Sequence, residues 1–254
     1  MNFFVALRKE WLEQGRTNRL LIVAAVLTAF GLASPLLAKF TPELLKSIPD
    51  MPLDLAALIP PPSVADAVAQ YVKNMSQFGI LLAVLMSMGA VAQEKERGTA
   101  ALVLTRPLSR LEFLLAKFAA LGLVFAVSLA AAALGCWYYT LLLFEPLAWG
   151  PFLALNGLML VVFLVYIAVT LLCSTLARTQ GAAAGLAFAA LLLVAGVGSL
   201  PRLGEYFPGR LFEWGAGLAL GRGGDPAWPA LGVSLGLMIA ALLAAWLIFR
   251  RQEV

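Results

Sequence analysis

The densest group of charged side chains in this chain lies between two strongly apolar stretches. The run Gln93-Glu94-Lys95-Glu96-Arg97-Gly98-Thr99 follows the uncharged residues 78–92 and comes shortly before the apolar run 113–144. Two carboxylates alternate with two cations, a set suited to ion pairing. A charged connection between two membrane-crossing segments is where a membrane protein can be held by a soluble partner.

Histidine is absent from the chain, which removes many catalytic chemistries. A Ser-His-Asp triad, an HExxH zinc site and a His-ligated haem all require it. Cys136 and Cys173 lie inside apolar runs without zinc-type spacing, so we expect buried thiols and predict no metal site and no catalytic residue. Polar groups inside the apolar runs form no recognisable dyad, and hydrogen bonds between packed helices explain them better: Ser34, Asn156, Ser174 and Thr175.

The composition predicts a polytopic membrane protein. Hydrophobic residues make up 62% of the chain and charged residues 13%, with a mean hydropathy of +0.91, whereas soluble domains carry about 25% charge. Six apolar runs approach or exceed the roughly 20 residues that a span needs. They are Leu20–Ala38, Phe78–Ala92 (with a start near Tyr71 or Asn74), Leu114–Leu143, Phe152–Ala177, Gly181–Leu200 and Trp228–Phe249. We predict an all-α fold with one transmembrane domain over residues 1–254, comprising an interfacial helix (1–19) and a six-span bundle (20–250).

The distribution of basic residues predicts the orientation of these spans. Twelve of the 18 Lys and Arg residues fall on the side that carries the two chain termini. The positive-inside rule therefore places both termini in the cytoplasm of a multi-pass protein of the cell membrane. Because the excess of basic residues lies at the predicted cytoplasmic surface of the membrane, nucleic-acid binding is not predicted.

Two outer connections carry helix signals. Ser63 and Asp66 fit a capping box that would start a helix leading into the second span. In the Gly- and Pro-rich segment 201–227, apolar residues recur at roughly helical spacing. This pattern predicts a short interfacial or re-entrant helix on the outer face.

The N-terminal residues 2–16 predict an amphipathic helix lying in the headgroup layer of the membrane. One face carries the apolar side chains of Phe3, Phe4, Leu7 and Trp11. The remaining surface is covered by polar and charged side chains, those of Arg8, Lys9, Glu10, Glu13 and Gln14. A simple anchor and a docking site for a partner are equally compatible with this pattern.

We call residues 94–117 the elbow. Gly98 permits a turn, residues 100–104 form a short apolar stretch of helical character, and Pro107 ends it. The sequence Ser109-Arg110-Leu111-Glu112 fits a capping box, so a new helix is predicted to run from Arg110 into the third span. A passive loop would not require this order of helix, break and helix, although chance could produce it.

The elbow resembles a signature of ABC-type exporter permeases of the ABC-2 family. EKERGT, followed by LVLTRPLSRLEFLLAKF, is similar to the family's acidic-x-acidic-x-Gly-Thr element, apolar turn, Pro-hydrophobic-Ser-Arg element and lysine near the third span. The matching positions are Glu94, Glu96, Gly98, Thr99, Pro107, Ser109, Arg110 and Lys117. We expect these residues to couple the chain to a partner, together with Arg97, which lies between Glu96 and Gly98. Ala116 stands where the family usually has glycine. The opening ALRKEWLEQGRTNR resembles the family's interfacial helix, in which we single out Phe4, Leu7, Lys9, Glu10 and Trp11.

This resemblance implies a six-span permease subunit that pairs with a second copy or a paralogue. It would rest on separate ABC ATP-binding subunits, which bind ATP and Mg, while this chain holds no cofactor. The elbow would act as the coupling helix between spans two and three. The first and fifth spans would line the central pathway, where Gly181 and Gly185 are compatible with close helix packing. Packing within one subunit would explain these glycines equally well.

The residues also bear on the energy source. The apolar runs carry no charge in their middle, where ion-coupled carriers keep ionisable groups. The chain also lacks the GxxxxGK[ST] phosphate cradle, so a separate subunit would have to hydrolyse ATP. An ion-coupled carrier or scaffold subunit without an ATPase partner stays open, as does an intramembrane enzyme. Replacing Glu94 and Glu96 with alanine is expected to lower coupling while leaving folding largely intact.

Overall fold

The computed structural model describes residues 3–46, 61–98, 109–222 and 225–252, and within them every regular element is helical. The α-helices are α1 (Phe3–Arg16), α2 (Arg19–Lys46), α3 (Val64–Asn74), α4 (Ile80–Ser87), α5 (Ala92–Glu96), α6 (Arg110–Leu143), α7 (Trp149–Leu176), α8 (Gln180–Gly198), α9 (Arg210–Ala219) and α10 (Trp228–Arg251). The described residues contain six stretches long and apolar enough to cross a membrane: Arg19–Leu44, Val64–Glu96, Arg110–Leu143, Trp149–Leu176, Gln180–Gly198 and Trp228–Arg251. The predicted all-α, six-span architecture is confirmed.

Helices α6 and α7 form the centre of the bundle. The rings of Phe125 on α6 and Phe163 on α7 are fully buried and meet edge to face, with their centres 5.7 Å apart. Helix α2 packs closely on α6 through Gly31, where an added Cβ would lie 2.4 Å from the carbonyl oxygen of Ala132. By contrast, only 11% of the most apolar part of α8 and 17% of that of α10 are buried within the chain. These two helices therefore expose most of their apolar surface.

The first span is longer than predicted. Helix α2 continues to Lys46 with Pro35 and Pro42 inside it, so the predicted end at Ala38 was about two turns too early. Membrane helices tolerate proline because neighbouring groups can satisfy the freed backbone. Lys39 donates a hydrogen bond of 3.3 Å to the carbonyl of Leu143, the last residue of α6. The extension thus contacts the C-terminal end of α6.

The second membrane-crossing stretch is a series of short helices. Its capping box is confirmed: the Asp66 carboxylate accepts hydrogen bonds from the backbone N–H of Ser63 at 2.9 Å and its hydroxyl at 2.7 Å. A π-helical turn, Met75–Gly79, joins α3 to α4. After α4 the chain turns over residues 88–91 before α5 begins. The helix predicted to start after Ser63 and lead into the second span is therefore present, and the predicted span start near Tyr71 or Asn74 lies in its last turn.

A short helix is present in the predicted outer segment. Helix α9 buries Leu211 and Phe212 and packs against α7. A Cβ added at Gly215 would lie 2.6 Å from the Leu155 side chain, so the two helices are in close contact there. Helix α9 is therefore held by the bundle itself.

Candidate functional site

The two ends of the elbow meet α1 in a buried ion-pair cluster. Lys117 lies about two turns into α6, and its side chain is only 4% exposed. Its Nζ lies 2.6 Å from Oε1 of Glu94 and 3.1 Å from Oε2 of Glu10. A buried cation is stable only when it is paired and hydrogen-bonded. Lys117 therefore joins α5, α6 and α1 at the end of the bundle that carries both termini.

Lys9 completes this cluster from its exposed side. Its Nζ lies 3.0 Å from Glu10, 3.5 Å from Glu13 and 3.8 Å from Glu94. The carboxylate oxygens of Glu10, Glu13 and Glu94 lie within 4.8 Å of one another, a spacing that could hold a cation. Here the ammonium groups of Lys9 and Lys117 lie among them and supply the positive charge.

The electrostatics of the cluster favour its ionised form. Burial raises the pKa of Glu10, but Lys117 and Lys9 outweigh burial and hold that pKa below its ordinary value of 4.5. Burial lowers the pKa of Lys9, but Glu10 and Glu94 outweigh it and raise that pKa above its ordinary value of 10.5. Both groups are therefore charged at neutral pH.

The structure corrects the predicted faces of α1. Ala6, Glu10 and Gln14, spaced four residues apart, form its buried face, whereas the sequence pattern placed Glu10 and Gln14 on the polar outer surface. Phe4 is 77% exposed, in keeping with a lipid-facing position. The physical reason is Lys117: a cation buried this far into α6 attracts carboxylates. The sequence did indicate that Lys117 needs a partner from elsewhere in the chain, because it lies in an apolar run that contains no acidic residue.

Among the predicted interfacial residues, Leu7 and Trp11 are partly buried, and Lys9 lies in the ion-pair cluster. Trp11 packs against the hydrophobic core. Helix α1 is therefore docked on the bundle through Glu10. Whether it also lies in the headgroup layer stays a prediction.

Lys95, which the sequence analysis did not select, caps the end of α7. Its Nζ donates hydrogen bonds to the carbonyls of Thr175 at 2.5 Å and Ala177 at 3.4 Å, and to Oε1 of Gln252 at 2.6 Å. Cations favour helix C-termini because unpaired carbonyls collect there. The sequence signal that could have indicated this role is the position of Lys95 between Glu94 and Glu96 at a helix end.

Arg110 makes equivalent contacts at the end of α10. Its Nη1 donates to the carbonyls of Phe249, Arg250 and Gln252 at 2.5, 3.0 and 2.7 Å. The predicted capping box beside it is confirmed, with the backbone N–H of Glu112 donating to Ser109 Oγ at 3.2 Å and the N–H of Ser109 donating to Glu112 Oε2 at 2.9 Å. Helix α6 begins at Arg110, as predicted.

The remaining elbow residues divide into three groups. Glu96 is exposed and accepts a 3.0 Å hydrogen bond from the backbone N–H of Gln180, the first residue of α8. Arg97 and Gly98 are also exposed, and Gly98 has a positive φ of 67° that suits glycine in a turn. Thr99 and Pro107 lie outside the described residues, as does the predicted apolar stretch 100–104.

Gly181 and Gly185 lie on the exposed side of α8. A Cβ at either position would have no protein atom within 4 Å among the described residues. Packing within one subunit therefore has no supporting contact at these glycines in the part of the chain that the structure describes. Their possible contact with another subunit stays a prediction.

Three of the four predicted polar groups inside the spans, Ser34, Asn156 and Ser174, connect helices, as predicted. Asn74 donates to Ser34 at 2.9 Å, and Tyr71 donates to Asn156 at 2.6 Å. Ser174 Oγ accepts from the backbone N–H groups of Val91 and Ala92 at 3.1 and 3.0 Å. Thr175 donates to the carbonyl of Leu171, within its own helix. Both cysteines are buried free thiols.

Comparison with known proteins identifies the family. The sequence profile described as "ABC-2 family transporter protein" matches residues 5–204. The chain belongs to the ABC-2 transporter family. It is also 27% identical over 251 residues to the "Uncharacterized transmembrane protein YxlG" of Bacillus subtilis (strain 168), covering 97% of this chain and 96% of that one. Membrane proteins of this family are transporter components that work with ABC ATP-binding subunits and are not catalytic themselves.

Proposed function

We propose that this protein is the membrane-spanning permease subunit of an ATP-driven ABC exporter. It would sit in the cell membrane with both termini in the cytoplasm, pair with a second permease subunit and couple to a separate ATP-binding subunit. One observation carries the proposal beyond family membership: the described ends of the elbow contact α1, α7, α8 and α10. A displacement applied to the elbow would therefore reach most of the bundle.

The contacts at the elbow suit the transmission of force. Glu94 pairs with Lys117 and through it with Glu10 of α1. Lys95 and Arg110 hold the ends of α7 and α10, and Glu96 holds the start of α8. Charge-assisted hydrogen bonds are shorter and stronger than neutral ones. These connections would move helix ends together while leaving Arg97 and Gly98 exposed to a partner.

Two features support an external energy source and a paired permease. The chain has no phosphate cradle of the GxxxxGK[ST] type, so ATP would be hydrolysed by another subunit. Helix α8 exposes its Gly181–Gly185 side together with Leu192 and Leu193, which are 72% and 69% exposed. Small residues on a span allow the close approach of another helix. A second permease subunit would cover this side of α8 and complete the pathway.

Purification of the tagged chain from its native membranes tests the proposal. We expect an ATP-binding subunit with a phosphate-binding loop to co-purify, the complex to hydrolyse ATP, and the chain alone to be inactive. Solute movement driven by an ion gradient in liposomes containing only this chain would contradict the proposal. The absence of ATP-binding subunits under mild extraction, with the six-span chain intact, would also count against it.

A further inference from the structure

We propose that Lys95 and Arg110 form a clamp that makes the cytoplasmic end of α10 move with the elbow. The clamp consists of these two cations and the segment Phe249–Gln252 that they hold, which comprises the last turn of α10 and the residue after it. Its geometry stands on the structure alone, whereas its role in transport rests on the proposed function. Lys95 and Arg110 would act as positioning residues for the last span.

The Arg110 half of the clamp has two kinds of contact. Three backbone carbonyls at the end of α10 converge on one guanidinium nitrogen, and these are groups that a helix end leaves unpaired. The guanidinium also lies over the Phe249 ring, 5.6 Å from its centre, and Phe113 stacks on that ring at 5.5 Å. Hydrogen bonds along the helix axis and ring stacking beside it together restrict both sliding and rotation of α10.

The Lys95 half of the clamp holds Gln252, the residue that follows α10. Gln252 accepts from Lys95 at 2.6 Å and donates to the carbonyl of Thr175 at 3.2 Å. Lys95 donates to the same Thr175 carbonyl. Lys95, Gln252 and the end of α7 thus form a closed hydrogen-bonded triangle.

The arrangement does more than cap a helix. One cation would satisfy the terminal carbonyls of α10, but here two cations, Lys95 and Arg110, reach the same segment Phe249–Gln252 from opposite sides of the turn at Gly98. Lys95 comes from α5, before the turn at Gly98, and Arg110 opens α6. Because both ends of the elbow are attached to α10, a displacement of either end is transferred to the last span.

Spin labelling across the clamp tests this inference. Nitroxides would be attached at Arg97→Cys and Arg251→Cys, two exposed positions that flank the Lys95–Gln252 contact. The buried Cys136 and Cys173 would be replaced by alanine, and dilution with a diamagnetic label removes signals between subunits. With an intact clamp we expect strong dipolar broadening that does not change when a non-hydrolysable ATP analogue is added to the purified complex.

Two clamp variants should weaken this signal. In Arg110→Gln and in Lys95→Met, the population of separated label pairs should rise about tenfold, because a hydrogen bond to a charged group stabilises the closed arrangement by at least about that factor. Arg110→Lys should restore part of the broadening. Arg250→Gln is the matched control, since it removes a neighbouring charge that lies over Trp246 and keeps the carbonyl that Arg110 contacts.

The possible results separate the two proposals. Unchanged broadening in the Arg110→Gln/Lys95→Met double variant, with the protein still monodisperse, would overturn the clamp. Equal loss of broadening in Arg250→Gln would overturn it as well. If no ATP-binding subunit co-purifies, the proposed function fails, yet the nucleotide-free spectra still decide whether the clamp exists. Gln252→Ala provides a milder variant should the stronger substitutions prevent folding.

Discussion

Lys117→Met tests the buried cluster most directly. The substitution leaves the Glu10 and Glu94 side chains, 6% and 14% exposed, without their buried counter-ion. Removing one partner of a buried ion pair costs about 3–5 kcal/mol. We expect the lower end, about 3 kcal/mol, because Lys9 remains 3.0 Å from Glu10 and 3.8 Å from Glu94. This loss should fall mainly on the docking of α1.

Hydrogen exchange of the α1 amides measures this loss. A change of about 3 kcal/mol should speed their exchange by roughly 100-fold in the local-opening regime. Arg8→Met removes an exposed cation from the same helix and should leave exchange close to that of the parent protein. The double variant Lys117→Met/Glu10→Gln should recover part of the protection, because it removes the α1 carboxylate that has lost its buried counter-ion. Exchange in Lys117→Met within a factor of about three of the parent would refute the reasoning.

Three further predictions concern charge, hydrogen bonding and packing. Because the pKa of Glu10 is lower in the folded protein, its contribution to the docking of α1 is complete above pH 4.5 and is lost as pH falls through the folded pKa. A nitroxide on α1 should therefore become mobile only at acid pH, and Glu10→Gln should remove this transition. Ser174→Ala should lower stability by about 1–3 kcal/mol, because two buried backbone N–H groups lose their acceptor. Ser128→Ala should be neutral or stabilising, since its buried hydroxyl has no hydrogen-bond partner among the described residues. Thermal unfolding in one detergent compares the two variants. Gly31→Ala should cost about 1–3 kcal/mol, because a Cβ would lie 2.4 Å from the α6 backbone. Gly157→Ala should not destabilise the protein in the same assay, because no atom of the described residues lies within 4 Å of a Cβ added there.

The spans and helix starts were predictable because they depend on local signals. Hydropathy alone located the six spans, since a bilayer excludes any backbone that cannot satisfy its own hydrogen bonds. The two capping boxes, at Ser63 and Ser109, placed the starts of α3 and α6 within a residue. The extension of α2 past Ala38 was not predictable in this way. It depends on a hydrogen bond from Lys39 to a carbonyl at the end of α6, more than 100 residues later in the chain.

The candidate site was predictable in its composition but not in its geometry. The elbow residues were selected as a surface for a partner, yet four of them make contacts with other helices of the chain: Glu94, Glu96, Arg110 and Lys117. The amphipathic pattern of α1 gave the wrong face for Glu10, because hydropathy treats every carboxylate as solvent-exposed. A buried lysine on another helix reverses that preference, and sequence periodicity does not show which helices will meet.

Glu94 and Glu96 look equivalent in the sequence, and the structure separates them. Glu94 belongs to the buried cluster, so replacing both acids with alanine would also disturb folding, contrary to the initial expectation. Glu96 is exposed, and its hydrogen bond within the described residues is the one that it accepts from the backbone N–H of Gln180. Glu96→Ala should therefore cost about 1 kcal/mol, the usual value of a helix N-terminal acceptor. We therefore expect Glu96→Ala to fold normally and to lower the ATP hydrolysis of the purified complex. Glu96→Gln keeps an acceptor but loses the charge: activity near the parent level would assign Glu96 to holding α8, and activity as low as in Glu96→Ala would assign it to the partner surface. Parent-level hydrolysis in Glu96→Ala itself would remove Glu96 from the coupling path altogether.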